Sequence, residues 1–253
     1  MSAPALPGYR GDFVAGEFLV PGKPDGEFQR RDPGDLTLSI PPIPWALDSV
    51  DRAAVAARAA QPAWERRAMG ERLAILRAYQ KAVERRGEEI AGAITREMGK
   101  PLWEARQEVA TMVAKVDHTL DHALRLVEPI EVPGGRCRFK ARGVLAILGP
   151  FNFPGHLPAG HFVPALAAGN AVVLKAPELA PFTVLRFGQI FLDAGLPPGV
   201  VNILPGGAEA GASMVAHPGI DKIQFIGSDR TAKSVLANAA QTLKPVGLEL
   251  GGK

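Results

Sequence analysis

Two polar side chains stand out because each sits alone in an apolar, turn-rich setting. Asn152 lies in GPFNFPGHLPAGH, Gly149 to His161, held between Phe151 and Phe153 with a proline on either side. Glu249 lies in LELGGK, Leu248 to Lys253, a carboxylate on a strand end followed by two glycines. An amide N–H can donate to an oxyanion as it forms, and a carboxylate can take a proton from an attacking water. Taken singly, Asn152 reads as the cap of a turn before a helix over residues 155–168, and Glu249 as a surface carboxylate.

The other candidates are more ambiguous. Lys175 and Glu178, in VLKAPE, follow an apolar run and would pass for two solvated charges. Gly227 and Ser228, in FIGSDRTAK, make a turn that brings backbone and hydroxyl to a helix N-terminus, where anions bind. Gly206, Gly207 and Gly211 are explained equally well by a plain turn. Cys137 is flanked by Arg136, Arg138 and Lys140, which would lower its pKa. It precedes the first strand of the sheet, however, and reads as an ordinary strand cysteine. His118 and His122 stand at i and i+4 on a helix, and with no third ligand in view a surface pair is expected instead of a metal site. His156 and His161 flank Leu157-Pro158 and suggest local packing.

Five apolar, β-rich runs must position these groups: GVLAILG (143–149), AVVLKA (171–176), VVNIL (200–204), KIQFIG (222–227) and PVGLEL (245–250). Helical stretches separate all of them. Buried strands alternating with helices predict an α/β fold with a doubly wound parallel sheet, whose ligands bind at the carboxyl ends of the strands. Asn152, Gly227 and Glu249 should therefore gather at one end of the sheet. Upstream, EPIEVPGGRCRFKAR (128–142) has two alternating arms around Pro133-Gly134-Gly135 and predicts a protruding β-hairpin. Before it, helices are expected from Asp48, with a first stretch ending at Pro62 and a second over GERLAILRAYQKAVERR. Gly99 suits a left-handed helix end and Pro101 the first turn of the next helix. Residues 9–46 alternate short β-like runs with turns and read as an extended leading segment.

Bulk properties exclude several classes. A chain of 253 residues that is 47% hydrophobic and 22% charged can bury one large core or two modest ones. The 29 basic and 26 acidic residues interleave and leave a net charge of +3, with no basic tract for nucleic acid. The N-terminal MSAPALPGYRGDF has neither a basic nor an apolar signal region, and no apolar run approaches a membrane span, so a cytoplasmic protein is expected. One cysteine cannot form an internal disulfide.

Taken together, the PFNFP and LELGGK segments and Glu97-Met98-Gly99-Lys100-Pro101 resemble the aldehyde dehydrogenase superfamily, from about Tyr9 to Lys253, and correspond to the first half of a member. The resemblance implies NAD-dependent oxidation of a small aldehyde to its acid. In that route a thiolate forms a thiohemiacetal, Asn152 holds the oxyanion, and Glu249 activates water against the thioester. The thiolate belongs to the family's second half, so this chain alone is expected to be inactive. The implied cofactor contacts are Ile147, Phe151, Lys175, Glu178, Gly207, Gly227, Ser228, Leu250 and Gly251. Of these, Lys175 and Glu178 would hold the ribose hydroxyls, Gly227 and Ser228 the pyrophosphate, and Leu250 and Gly251 the nicotinamide pocket. The GxGxxG fingerprint is absent. A carboxylate at Glu178 would repel a 2′-phosphate, which favours NAD over NADP. The chain departs from the family at Ala232, where a glycine is usual. His156 and His161 would lie near the mouth of the substrate tunnel.

The implied organisation is an extended segment and helices of the cofactor domain (1–127), an oligomerisation hairpin (128–142) through which copies associate, and an NAD-binding core (143–253). GHLPAGHFVPALAAGN is similar to the succinylglutamate-semialdehyde dehydrogenase branch, which implies an acidic, amino-acid-derived semialdehyde and a place in arginine catabolism, with pyrroline-5-carboxylate-type and broad-specificity aldehyde dehydrogenases as open alternatives. Two competing readings are a non-catalytic nucleotide-binding or interaction module, and one half of a split enzyme whose second chain supplies the cysteine.

Overall fold

The structure, a computed structural model, describes residue 6 and residues 8–251; Gly252 and Lys253 of the terminal motif lie outside the described residues. The chain opens on a tight hairpin, β1 (Asp12–Val14) and β2 (Glu17–Leu19). Its turn residues Ala15 and Gly16 have φ of 53° and 85°, the geometry that matches the natural twist of paired strands. A longer hairpin, β3 (Gly26–Asp32) and β4 (Asp35–Trp45), takes in the proline-rich IPPIPW run. Four helices follow: α1 (Asp48–Arg66), α2 (Met69–Arg85), α3 (Gly87–Met98) and α4 (Leu102–Asp117). Gly99 ends α3 at φ 71°, the left-handed position expected of it.

A π-helical turn (His118–His122) and a 3-10 turn (Ala123–Val127) lead to the short hairpin β5 (Ile130–Val132) and β6 (Gly135–Cys137). The rest alternates strictly: β7 (Val144–Leu148), α5 (His156–Ala167), β8 (Ala171–Ala176), α6 (Pro181–Asp193), β9 (Val201–Pro205), α7 (Ala208–Ala216), β10 (Lys222–Gly227), α8 (Asp229–Ala240) and β11 (Val246–Leu250).

The main sheet has the order β11-β10-β7-β8-β9-β1-β2, and its first five strands are parallel. Chain order runs outward from β7 to β9, then returns to place β10 on the other side of β7. The sheet is therefore doubly wound, with its topological switch point between β7 and β10. Strand alternation divides the core in two. Leu145, Ile147, Val172 and Leu174 pack with α2 to α6, whereas Val144, Ala146, Ala171 and Val173 pack with α1, α7 and α8.

Two expectations are corrected. The first helix does not stop at Pro62 but runs through it to Arg66. Proline removes one backbone donor there, and anchoring on either side outweighs that loss: Trp64 Nε1 donates to the Leu166 carbonyl at 3.0 Å, and Gln61 Nε2 to the Gly169 carbonyl at 3.2 Å. Nor is the leading segment merely extended. Strand β1 pairs antiparallel with β9, and the Ala15 N–H donates to Asn202 Oδ1 at 3.0 Å, so the segment widens the sheet by two strands.

Candidate functional site

On the α7/α8 face, a cleft of about 560 Å³ opens at the switch point, lined among others by Gly149, Lys175, Glu178, Gly207, Phe225 and Thr231. Lys175 shares the parity of Ala171 and Val173 on β8, so it leaves the sheet on this side. It is buried, and its ammonium donates to the Gly206 carbonyl at 2.6 Å and approaches Glu178 Oε1 at 3.5 Å. Burial pulls its proton affinity down, and the Glu178 carboxylate opposes that shift. Glu178 is only half-buried, at the rim.

Ser228 caps α8, its hydroxyl accepting from the Thr231 N–H at 3.3 Å, and the N-terminal turn of that helix forms one wall of the cleft. Ala232, which stands in for the family's usual glycine, is buried in the core beneath the sheet. Its methyl is spent on packing and does not stand in the cleft.

Asn152 lies on the loop just after β7, Gly227 ends β10, and Glu249 is in β11, paired with Ile226. All three are thus at the carboxyl ends of neighbouring strands. The Asn152 side chain is exposed and has no hydrogen-bond partner among the described residues, which leaves its amide free to donate. Val246 and Leu248 pack toward α7 and α8, so Glu249 emerges on the opposite, α5 face. There its Oε1 is 2.9 Å from His161 Nε2. Burial depresses the His161 ring below the usual imidazole range, with Glu249 pulling the other way. A neutral imidazole donating to the carboxylate orients it without neutralising it, and a carboxylate so held can take a proton from water.

Helix α5, which carries His161, is fixed by α4. Glu108, 3% exposed, accepts from the backbone N–H groups of Gly155 at 2.8 Å and His156 at 3.3 Å, and from Lys100 Nζ at 2.9 Å. A carboxylate at a helix N-terminus satisfies otherwise orphaned donors and complements the dipole. Lys100 also lies over the Phe153 ring, 3.6 Å from its centroid, and so steadies the residue after Asn152. Glu97 does the same service for α6: both its oxygens accept, from Phe182 N, Thr183 N and Thr183 Oγ1, each at 2.7 Å. Glu97 thus holds the N-terminus of α6 directly, and Lys100, three residues on, braces Glu108, which holds that of α5.

Sequence reasoning missed Glu108 and the His161 contact, and singled out Lys100 only within the Glu97-Met98-Gly99-Lys100-Pro101 segment, with no role of its own. For Glu108 the only available signal was a charged residue on a helix face, which is ordinarily solvated. Ile147 lies mid-strand in β7 with its side chain fully buried in the core, so only its backbone is open to a ligand contact. Phe151 and Leu250 are 50% and 40% exposed, and Gly251 is exposed, so all three are open to contact. Cys137 lies exposed on β6, outside the main sheet. The rings of His118 and His122 are 5.9 Å apart, and His122 contacts Arg125 instead of a metal-ligand set.

A doubly wound parallel sheet with a cleft at its switch point is the class of α/β domain that binds its ligands at the carboxyl ends of the strands. The model of the aldehyde dehydrogenase family matches residues 44–253, and the chain belongs to that family. Over 245 residues it is 42% identical to N-succinylglutamate 5-semialdehyde dehydrogenase of Pseudomonas fluorescens, covering 95% of this chain and 50% of that protein. The Chromobacterium violaceum protein of the same name is also 42% identical, over 246 residues. The chain spans about half the length of the curated relatives it matches.

Among solved structures, an aldehyde dehydrogenase mutant from Pseudomonas syringae in complex with NAD+ and octanal superposes with a TM-score of 0.91 at 34% identity, over 97% of this chain and 51% of that one. An NADP-dependent enzyme from E. coli gives 0.90 at 28% identity, over 96% and 52%. No helix among the described residues is long and apolar enough to cross a membrane.

Proposed function

We propose that this chain supplies the cofactor-binding half of an NAD-dependent aldehyde dehydrogenase acting on an acidic, amino-acid-derived semialdehyde. The observation that carries this is the division of labour across the sheet. Lys175 and Glu178 line a dinucleotide-sized cleft on one face, while Glu249 stands oriented by His161 on the other, with Asn152 at the strand end between them.

The residues fit the cofactor. An ammonium and a carboxylate at the cleft suit paired ribose hydroxyls, and the α8 N-terminus suits a pyrophosphate. When bound, NAD supplies the oxidant for the aldehyde. The chain's own groups hold it, keep an amide donor free for the developing oxyanion, and keep a carboxylate ready to accept a proton from water. The relatives named for succinylglutamate semialdehyde support the acidic substrate.

Calorimetry on the chain tests the cofactor assignment. NAD should bind, Lys175→Met should weaken it about tenfold, the size of one lost charge-assisted hydrogen bond, and Glu178→Gln should narrow the preference for NAD over NADP. Absence of NAD binding would overturn the reading.

The same reading makes the hairpin a self-association surface, because Ile130, Val132 and Phe139 are each about half exposed, at 52%, 52% and 51%. Replacing Ile130 and Val132 together by glutamate is expected to shift the sedimentation profile toward monomer. A profile unchanged by the pair would remove the hairpin from the interface.

A further inference from the structure

Helices α4 and α5 cross where α5 is glycine. A Cβ at Gly155 would lie 2.9 Å from Met112 Sδ and 3.0 Å from Glu108 Oε1, and one at Gly160 would strike Lys115 Nζ. Glu108, Met112 and Lys115 follow one another at i, i+4 and i+7, so a single stripe of α4 meets these gaps. The gap at Gly160 is therefore what lets the Lys115 ammonium lie against α5, one residue before His161.

That ammonium is unusual in its setting. Lys115 is half-buried, and it has no hydrogen-bond or ion-pair partner among the described residues. Lys100, on the same α4/α5 side, has both Glu108 and the Phe153 ring, and Lys175 has Glu178 and two carbonyls. Burial draws the Lys115 proton affinity down, and Glu249 is the one group that raises it. Burial depresses the proton affinity of His156, whose Nδ1 is buried without a partner, and Lys115 and then Lys100 add to that while Glu108 opposes it. Glu108 is already committed to Lys100 and two backbone donors. The α5 face beside Glu249 thus keeps one ammonium, Lys115, with no direct hydrogen-bond or ion-pair partner among the described residues, on the side of the sheet away from the cofactor cleft. A partly desolvated charge without a partner is costly, and an anion from outside would relieve it.

We propose that Lys115, seated over Gly160, recognises a carboxylate of the aldehyde substrate at a point remote from the reacting carbonyl, and so sets the preference for acidic over neutral aldehydes. This rests on the reading of the chain as half of a semialdehyde dehydrogenase. Lys115 is a specificity residue in this account and touches no reacting atom.

The test uses the isotopically labelled chain and follows amide shifts of α5 as N-succinylglutamate 5-semialdehyde or the uncharged pentanal is added. The wild type should bind the acidic aldehyde at least about tenfold more tightly than pentanal, the scale of one charge-assisted hydrogen bond. Lys115→Met should abolish that preference while pentanal and NAD affinities stay within about twofold. Lys115→Arg should keep part of the preference, and Gly160→Ala, which crowds the ammonium, should lose it. A preference retained in Lys115→Met overturns the role of Lys115 and leaves the acidic-substrate reading standing. A wild type that does not distinguish the two aldehydes, or binds neither, overturns both, and unchanged NAD binding keeps either result separate from a folding defect.

Discussion

Replacing Glu97 by alanine is expected to lower the stability of the fold by about 3 kcal/mol, read as the shift of the urea unfolding curve. Glu97 is 1% exposed and its two oxygens satisfy the N–H groups of Phe182 and Thr183 and the Thr183 hydroxyl. Truncation leaves three buried donors at the start of α6 without acceptors, and each costs about 1 kcal/mol or more. The loss extends to the site, because α6 packs on β8 and β9.

Glu97 also gives stability a pH dependence of determinate sign. Burial pushes its carboxyl from the usual 4.5 up to about 7, with the hydrogen bonds from Thr183 and Phe182 opposing. A pKa raised in the folded state means the fold holds a proton that the unfolded chain has released. Its contribution is fully present below about pH 4.5 and is lost as pH rises through about 7. Between about pH 5.5 and about pH 8 the wild type should therefore lose more stability than Glu97→Gln, which has no proton to release. Parallel pH profiles for the two would assign the dependence to other groups.

The second large effect is on turnover. Supplied with saturating NAD and with neutral or acidic aldehydes, the chain as given is expected to reduce no measurable NAD, at least about 10⁴-fold below a complete family enzyme. In the roles proposed for them, Asn152 and Glu249 would stabilise and hydrolyse an adduct only after a thiolate had formed one. Its single cysteine, Cys137, is exposed on β6 in a two-stranded sheet separate from the one that carries both groups. Cys137→Ser should accordingly change nothing. Turnover that Cys137→Ser abolishes would reverse the assignment, whereas turnover gained on adding a cysteine-bearing second chain would favour the split-enzyme reading.

The parallel strands were legible because burial on both faces writes them as near-continuous apolar runs, and AVVLKA and KIQFIG coincide with β8 and β10 residue for residue. Asn152 and Glu249 were singled out by the PFNFP and LELGGK motifs, and their placement at strand ends followed from the apolar runs just before them. What escaped was set by tertiary contact. Glu97 finds its partners 85 and 86 residues further along the chain, and a glutamate on an amphipathic helix gives no sign that its neighbours will be backbone donors. Pro62 reads locally as a helix stop, and the anchors that Trp64 makes to the last turn of α5 and Gln61 to the α5–β8 connection carry the helix past it. Ile147 was assigned by position in a motif, while the two-residue period of β7 turns it into the core.

Lys175 and Glu249 leave the sheet on opposite sides, so the groups that the proposed function assigns to the nucleotide and to the water-activating step are separated by the sheet itself. Substitutions separated in this way combine nearly additively, since neither alters the surroundings of the other. Under the proposed function, a lineage built on this chain would exchange one nucleotide for another by changing Glu178 and its neighbours, while the far side kept its aldehyde. The reverse drift would, under the proposed role of Lys115, begin along the seam between α4 and α5.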